Sequence, residues 1–171
     1  YVIGEAALTK ALYDQGIYMN DVNPDYVIIG ETRNYNFASI EKAVKLIFNG
    51  AKLIGTNSDL TGPSEQGIIP ACRALVSPIE LTTGANAYYL GKPNPLMMKT
   101  GLKMLGVDIE DAVIVGDRMD TDIISGIESE IETALVLSGV TTLDTLKLYP
   151  YCPKYIFQGV GEIVKNNPIK L

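Results

Sequence analysis

The stretch Ala112-Val113-Ile114-Val115-Gly116-Asp117-Arg118-Met119-Asp120-Thr121-Asp122-Ile123 decides the fold. Its aliphatic run has no polar alternation, the pattern of a strand covered on both faces in a parallel sheet. It ends in Gly-Asp and leads into an amphipathic stretch, the punctuation of a βα unit in which acids at the strand's carboxyl end face the ligand crevice. Asp117 and Asp122 converge if the residues between them wrap a turn. Two carboxylates beside a helix start make a hard-cation site, most naturally for Mg²⁺ with retained waters and a substrate phosphate. The same residues could instead act locally, with Asp117, Asp120 and Thr121 capping the next helix and complementing its dipole.

Outward from this unit, short β-rich runs ending in Gly alternate with amphipathic stretches, so the fold class is α/β. Strands are expected over 1–4, 26–30, 52–55, 87–90, 112–116, 133–137 and 155–157. The clearest helix spans 37–48, with Phe37, Ile40, Val44 and Ile47 on one face, Asn36 as N-cap and Asn49-Gly50 as the stop. A second follows Pro93-Asn94-Pro95, with Met98, Leu102 and Leu105 on one face and Gly106 at its end. Others are expected near 6–15, 69–76, 121–129, 141–148 and 160–165. The segment 56–67, TNSDLTGPSEQG, reads as a long polar loop, and such loops in α/β units are often functional. A second break at 82–86, TTGAN, places the junction between two units near Ala85-Asn86, dividing the chain into 1–86 and 87–171.

Two further features carry chemistry. Lys92, in Gly91-Lys92-Pro93-Asn94-Pro95 after the strand AYYL, stands at a strand end where an ammonium pairs with phosphate as a point charge, or it is an exposed lysine in a turn. Thr56-Asn57-Ser58-Asp59 follows the strand KLIG and could read a polar substrate, or form an Asx-type turn that satisfies its own backbone. Glu5, Glu31 and Arg33 stand just beyond strand ends and read as solvated loop charge or as salt bridging between units, worth little in energy.

Composition narrows the chemistry. The 171 residues carry 14 Lys plus Arg against 20 Asp plus Glu, a net charge of −6, and no His. A Ser-His-Asp triad, a Cys-His dyad and an imidazole-ligated zinc site are therefore excluded, leaving carboxylates, Lys, Thr and backbone amides. The basic residues are scattered, which argues against nucleic acid as a partner. No apolar run approaches a membrane span, and the two cysteines, Cys72 and Cys152, read as reduced thiols, so the expectation is a soluble cytoplasmic protein without a membrane partner. The opening Tyr1-Val2-Ile3-Gly4 reads as a strand already under way, as in a fragment.

Strand-GKPNP, helix, strand-GDRMDTDI, helix, strand and Ser138-Gly139-Val140, taken in order, resemble the C-terminal half of a haloacid dehalogenase superfamily phosphatase. More narrowly they resemble the NagD-type, 4-nitrophenylphosphatase-like family. The first half, with DVNPDYVIIGETRNYNF and KLIGTNSD, is similar to that family's C2-type cap. The resemblance implies a C2-type α/β cap over 1–86 followed by the C-terminal half of a Rossmann-like core with a parallel sheet over 87–171. It implies Lys92, Asp117 and Asp122 as catalytic residues, with Lys92 steadying nucleophile and phosphoryl group, Asp117 as the Mg²⁺ ligand and Asp122 supporting the metal shell. Asn57, Asp59, Lys92, Arg118, Met119, Asp120 and Thr121 would line the substrate site. The implied partner is a small phosphorylated metabolite, and a homo-oligomer fits the same reading.

The family's D-x-D-G nucleophile segment is not found here. Asp120-Thr121-Asp122 has the D-x-D form but follows a turn and lacks the Gly-Thr continuation; Thr56 mimics the second motif but falls in the cap region. The resemblance implies an aspartyl-phosphate intermediate in the longer protein and an inactive chain by itself. With half a core absent, the sheet carrying AYYL, AVIVG and TALVL would expose an apolar edge, so marginal stability or self-association is expected. Two other readings remain: a non-catalytic domain binding a cation and a phosphorylated ligand or protein, and a structural α/β module.

Overall fold

Val2–Ile3 forms the first strand, β1, and helix α1 follows over Ala6–Asp14. The chain then runs through β2 (Tyr26–Ile29), α2 (Phe37–Phe48), β3 (Lys52–Gly55), a hairpin of β4 (Thr61–Ser64) and β5 (Gly67–Pro70), α3 (Cys72–Thr83) and β6 (Tyr88–Tyr89). Strands β1, β2, β3 and β6 make one parallel sheet in that order, with Ile28 opposite Ile54 and Ile54 opposite Tyr88. Its core is built from Val27, Ile29 and Leu53 of the sheet against Ala43 and Leu46 of α2 and Cys72, Val76 and Ile79 of α3. Val27 and Ile29 are fully buried, each stabilising this unit by about 1.5–3 kcal/mol over an exposed side chain. Helix α2 starts where Asn36 accepts the Ser39 N–H at 3.0 Å, as its cap position predicts.

A computed structural model describes residues 1–165, and the chain divides between Gly91 and Lys92 into two compact units. In the second, α4 (Pro95–Leu105) is capped by Asn94, whose side chain accepts the Leu96 N–H, and ends at Gly106 in the left-handed region. Then come β7 (Val113–Gly116), a π-helical turn over Met119–Ile123, α5 (Ile124–Glu128), β8 (Glu132–Val136), α6 (Leu143–Leu146), β9 (Tyr155–Phe157) and α7 (Val160–Ile163). Strands β7, β8 and β9 form a parallel sheet with β8 central. Met119, Ile123, Leu135, Leu146 and Ile156 pack as its core.

Several expectations change. The strand in AYYL belongs to the first sheet, paired with β3, and not to a sheet with AVIVG and TALVL. The division therefore falls after Gly91 instead of at Ala85-Asn86, and residues 166–171 of the expected 87–171 unit lie outside the described residues. The segment 56–67 is not wholly loop. Its second half pairs with Gly67–Pro70, which displaces the start of the expected 69–76 helix to Cys72. That helix runs through Pro78 to Thr83, because Leu75, Val76 and Ile79 anchor it on both sides of the proline. The expected coverage of both faces holds for β8 but not for β7, where Val113 and Val115 remain 49% and 42% exposed. Among the described residues no helix is long and apolar enough to cross a membrane.

Candidate active site

The carboxyl end of β7 is organised around Asp122. The strand stops at Gly116, where an added Cβ would stand 2.5 Å from the Asp122 Oδ2, so only glycine admits the carboxylate. The chain then turns through Asp117 and Arg118 into the π-helical turn, with the Ile123 N–H donating to the Arg118 carbonyl at 3.0 Å. This wider turn folds Asp122 back over the strand end, and its Oδ2 accepts the N–H groups of Asp117 and Arg118, each at 3.1 Å. Its Oδ1 accepts the Lys92 ammonium. Asp122 is buried and its negative charge is thus met by one cation and two amide dipoles. Such π-turns concentrate at functional sites because they re-aim one side chain without ending the helix.

Asp117 is held from a different strand end. Its Oδ2 accepts the Val140 N–H at 2.8 Å, and its carbonyl accepts the Thr141 N–H at 3.0 Å, both from the segment after β8. Arg118 clasps Asp120 with two bonds, Nε to Oδ1 at 3.0 Å and Nη2 to Oδ2 at 2.8 Å. The Tyr151 hydroxyl donates to the Met119 carbonyl at 3.0 Å, bracing the π-turn from below. Burial raises the Tyr151 phenol above its ordinary value, helped by the neighbouring Tyr149 and Asp120.

Of the residues the sequence singled out, Lys92, Asp117, Arg118, Asp120 and Asp122 are gathered at this strand end. Met119 and Thr121 are not available to a substrate. Met119 is fully buried among Ile123, Leu135, Leu146 and Ile156, and Thr121 is 4% exposed. Of the local alternative only the capping part fails: no side chain caps the π-turn or α5, and Asp122 binds amides on its N-terminal side, while Asp120 stands in the first turn where an acid complements the dipole. Asp120-Thr121-Asp122 is also unfit as a D-x-D nucleophile pair, since Arg118 engages Asp120 and Lys92 engages Asp122.

In the first unit, Asn57 and Asp59 follow β3. The Asn57 Nδ2 donates to Glu31 Oε1 at 3.1 Å, a bond to the end of β2 and not to its own turn. The Gly91 N–H donates to the Thr56 carbonyl at 2.8 Å, and a Cβ on Gly91 would stand 2.6 Å from that oxygen, so the loop is clamped against the end of β6. The Asp59 carbonyl accepts the Arg73 N–H at 3.0 Å and starts the approach to α3. Glu5, read as solvated charge, ties two strand ends together by accepting the Thr32 hydroxyl at 2.7 Å.

The donor set suits a hard cation only as part of a shell. Asp117 offers a carboxylate oxygen at a strand end, which fits Mg²⁺ held by one or two carboxylates, waters and a phosphate. No group of three or more His, Cys, Asp or Glu is assembled to hold a metal among the described residues. Sequence reasoning overlooked the Val140 amide and the Tyr151 hydroxyl, whose contacts depend on tertiary packing; only the glycine in Ser138-Gly139-Val140 marked the first of them.

Residues 89–163 match the HAD-hydrolase-like family model. The chain is 45% identical over 163 residues to ribonucleotide monophosphatase NagD of Escherichia coli K12, covering 95% of this chain and 64% of that protein. It is 44% identical over 163 residues to a dihydroxyacetone phosphatase of Corynebacterium glutamicum strain R, covering 95% and 59%. Among solved structures, the 4-nitrophenylphosphatase of Thermotoga maritima matches with a TM-score of 0.92 at 32% identity over 96% of this chain and 64% of that one. The class is that of parallel α/β folds that carry acids at a strand's carboxyl end. The chain is thus similar to proteins of the haloacid dehalogenase superfamily and, among them, to those of the NagD type. It spans about three-fifths of the length of the curated relatives it matches.

Proposed function

We propose that the chain is part of a cytoplasmic Mg²⁺-dependent phosphatase that hydrolyses small phosphomonoesters, with the first unit, 1–91, as its C2-type cap and the second unit as the second part of its core. The observation that carries this reading is the convergence of Lys92, Asp122 and Asp117 at one strand end, reinforced by relatives that are named phosphatases. Lys92, fixed by Asp122, places a positive charge against the phosphoryl oxygens, where a phosphoryl-transfer transition state accumulates negative charge. Asp117 would hold Mg²⁺, which when bound supplies further charge neutralisation at the same oxygens. In the first unit Asn57 and Asp59 are the candidate substrate-specificity residues, and in the second Arg118 and Asp120 border the phosphate site. Met119 and Thr121 drop out of the substrate set because they are buried.

The reaction runs in two displacements. A carboxylate oxygen forms a bond to phosphorus as the bond to the leaving oxygen breaks and that oxygen takes a proton. Water then attacks the aspartyl phosphate, releasing inorganic phosphate and restoring the carboxylate. The nucleophile would have to come from residues outside these 171, so the chain alone is inactive in this reading. Its exposed Val113 and Val115 favour self-association when it is produced alone.

The test is Mg²⁺-dependent hydrolysis of 4-nitrophenyl phosphate by a protein of the relatives' full length that contains this chain. Activity should fall at least about a hundredfold in Asp117→Asn. Activity indifferent to Asp117→Asn and to chelation, or turnover by the 171-residue chain alone, would overturn the reading.

A further inference from the structure

We infer that Gly139 and the Val140 amide are the positioning device that aims the Asp117 carboxylate. This rests on the proposed role of Asp117 as a cation ligand. After β8 the chain returns towards Asp117, and two successive amides grip it: Val140 N–H on the side-chain Oδ2 at 2.8 Å and Thr141 N–H on the carbonyl at 3.0 Å. Gripping both ends of one residue fixes the rotamer of the side chain relative to its backbone. With Oδ2 committed to the amide, Oδ1 is the oxygen offered to a cation.

Gly139 is what permits the grip. Its backbone is not among the left-handed glycines, so any L-residue could adopt its conformation. The obstacle is the carboxylate itself: a Cβ at 139 would stand 2.5 Å from Asp117 Cγ and 2.6 Å from its Cβ, far inside van der Waals contact. A side chain at 139 must push the segment off Asp117 or turn the carboxylate away, and either movement breaks the Val140 bond. The segment 138–140 is exposed and carries no core packing, so the cost falls on the aim of Asp117 and not on the fold. Gly139 and Val140 are thus positioning residues that act through Asp117.

The experiment uses the 171-residue chain. Hydrogen exchange at the Val140 amide, followed by NMR, should be slowed in the wild type and released in Gly139→Ala and in Asp117→Ala. Unslowed exchange in the wild type would overturn the inference. In parallel, Mn²⁺ affinity measured by electron paramagnetic resonance should weaken about tenfold in Gly139→Ala and in Val140→Pro, which removes the N–H without adding a Cβ at 139. Gly161→Ala, whose added Cβ meets nothing within 4 Å, should match the wild type in affinity. If Asp117→Ala weakens Mn²⁺ but Gly139→Ala and Val140→Pro do not, the positioning role is wrong. If Asp117→Ala leaves Mn²⁺ affinity unchanged, the ligand role of Asp117 fails, and Val140 exchange still decides whether the grip exists.

Discussion

Lys92 and Asp122, thirty positions apart, are joined by an ion pair at the end of β7, and the same carboxylate ties down the amides of Asp117 and Arg118. Asp122 is therefore the keystone of the loop, and Lys92, whose side chain is 38% exposed, contributes only a screened share of the pair. Asp122→Ala leaves two backbone N–H groups without their acceptor and should destabilise the second unit by about 2–3 kcal/mol. Asp122→Asn keeps one oxygen for both amides and should cost about 1 kcal/mol. Amide exchange of β8 across a urea series measures both. Equal losses for the two variants would assign the stabilisation to the ion pair instead of the amides.

In the first unit, Gly55 is packed under the Tyr89 ring, where an added Cβ would stand 2.5 Å from two ring carbons. Gly55→Ala should therefore overpack the β3–β6 pairing and destabilise by about 1–3 kcal/mol. Exchange of the β2 and β3 amides checks it. A neutral result would mean that the ring swings clear at no cost.

The α/β class, the acid-bearing strand end and the 37–48 helix were legible because each is written locally: an unbroken aliphatic run, a Gly-Asp step, an Asn before an apolar period. The partner of AYYL was not. Tyr88-Tyr89 pairs with β3 from more than thirty residues upstream, and nothing in a two-residue strand says which sheet receives it. The hairpin was hidden because Thr61–Ser64 and Gly67–Pro70 are mostly exposed, so no hydrophobic period marks them. In the site, the local pattern left Asp117 and Asp122 open between a cation site and helix capping, and Lys92 open between a phosphate partner and an exposed turn lysine; the family resemblance singled out the three together. The burial of Met119 and Thr121 was invisible because a π-turn rotates its residues off the helical period from which facing is read.

The Asn36 cap offers a local test of the first unit. Its side chain accepts the Ser39 N–H at 3.0 Å and the Ser39 hydroxyl at 3.2 Å. Asn36→Ala should cost about 1 kcal/mol, and Asn36→Asp, which keeps the acceptor and adds a favourable charge at the helix start, should not. Exchange at the first-turn amides of α2 distinguishes them, and equal behaviour of the two variants would dismiss the cap as a source of stability.

Alkaline pH should loosen the first unit through Tyr89. Burial, reinforced by the Glu80 carboxylate, pushes its phenol up to about 12 from an ordinary value of 10.0. Tyr35 is raised by burial as well, and its hydroxyl is spent on the Leu75 carbonyl. A phenol whose folded pKa exceeds its unfolded one holds its proton more tightly in the native state. Its stabilising contribution is then complete below pH about 10 and is lost as pH rises from there through about 12. Stability of the first unit should fall across that window, and the tyrosinate absorbance of Tyr89 should appear late or together with unfolding. In Tyr89→Phe the ring packing stays while the ionisable group goes, so the decline should be shallower. An alkaline transition identical in the wild type and in Tyr89→Phe would rule Tyr89 out as its source and leave Tyr35 to be tested in the same way.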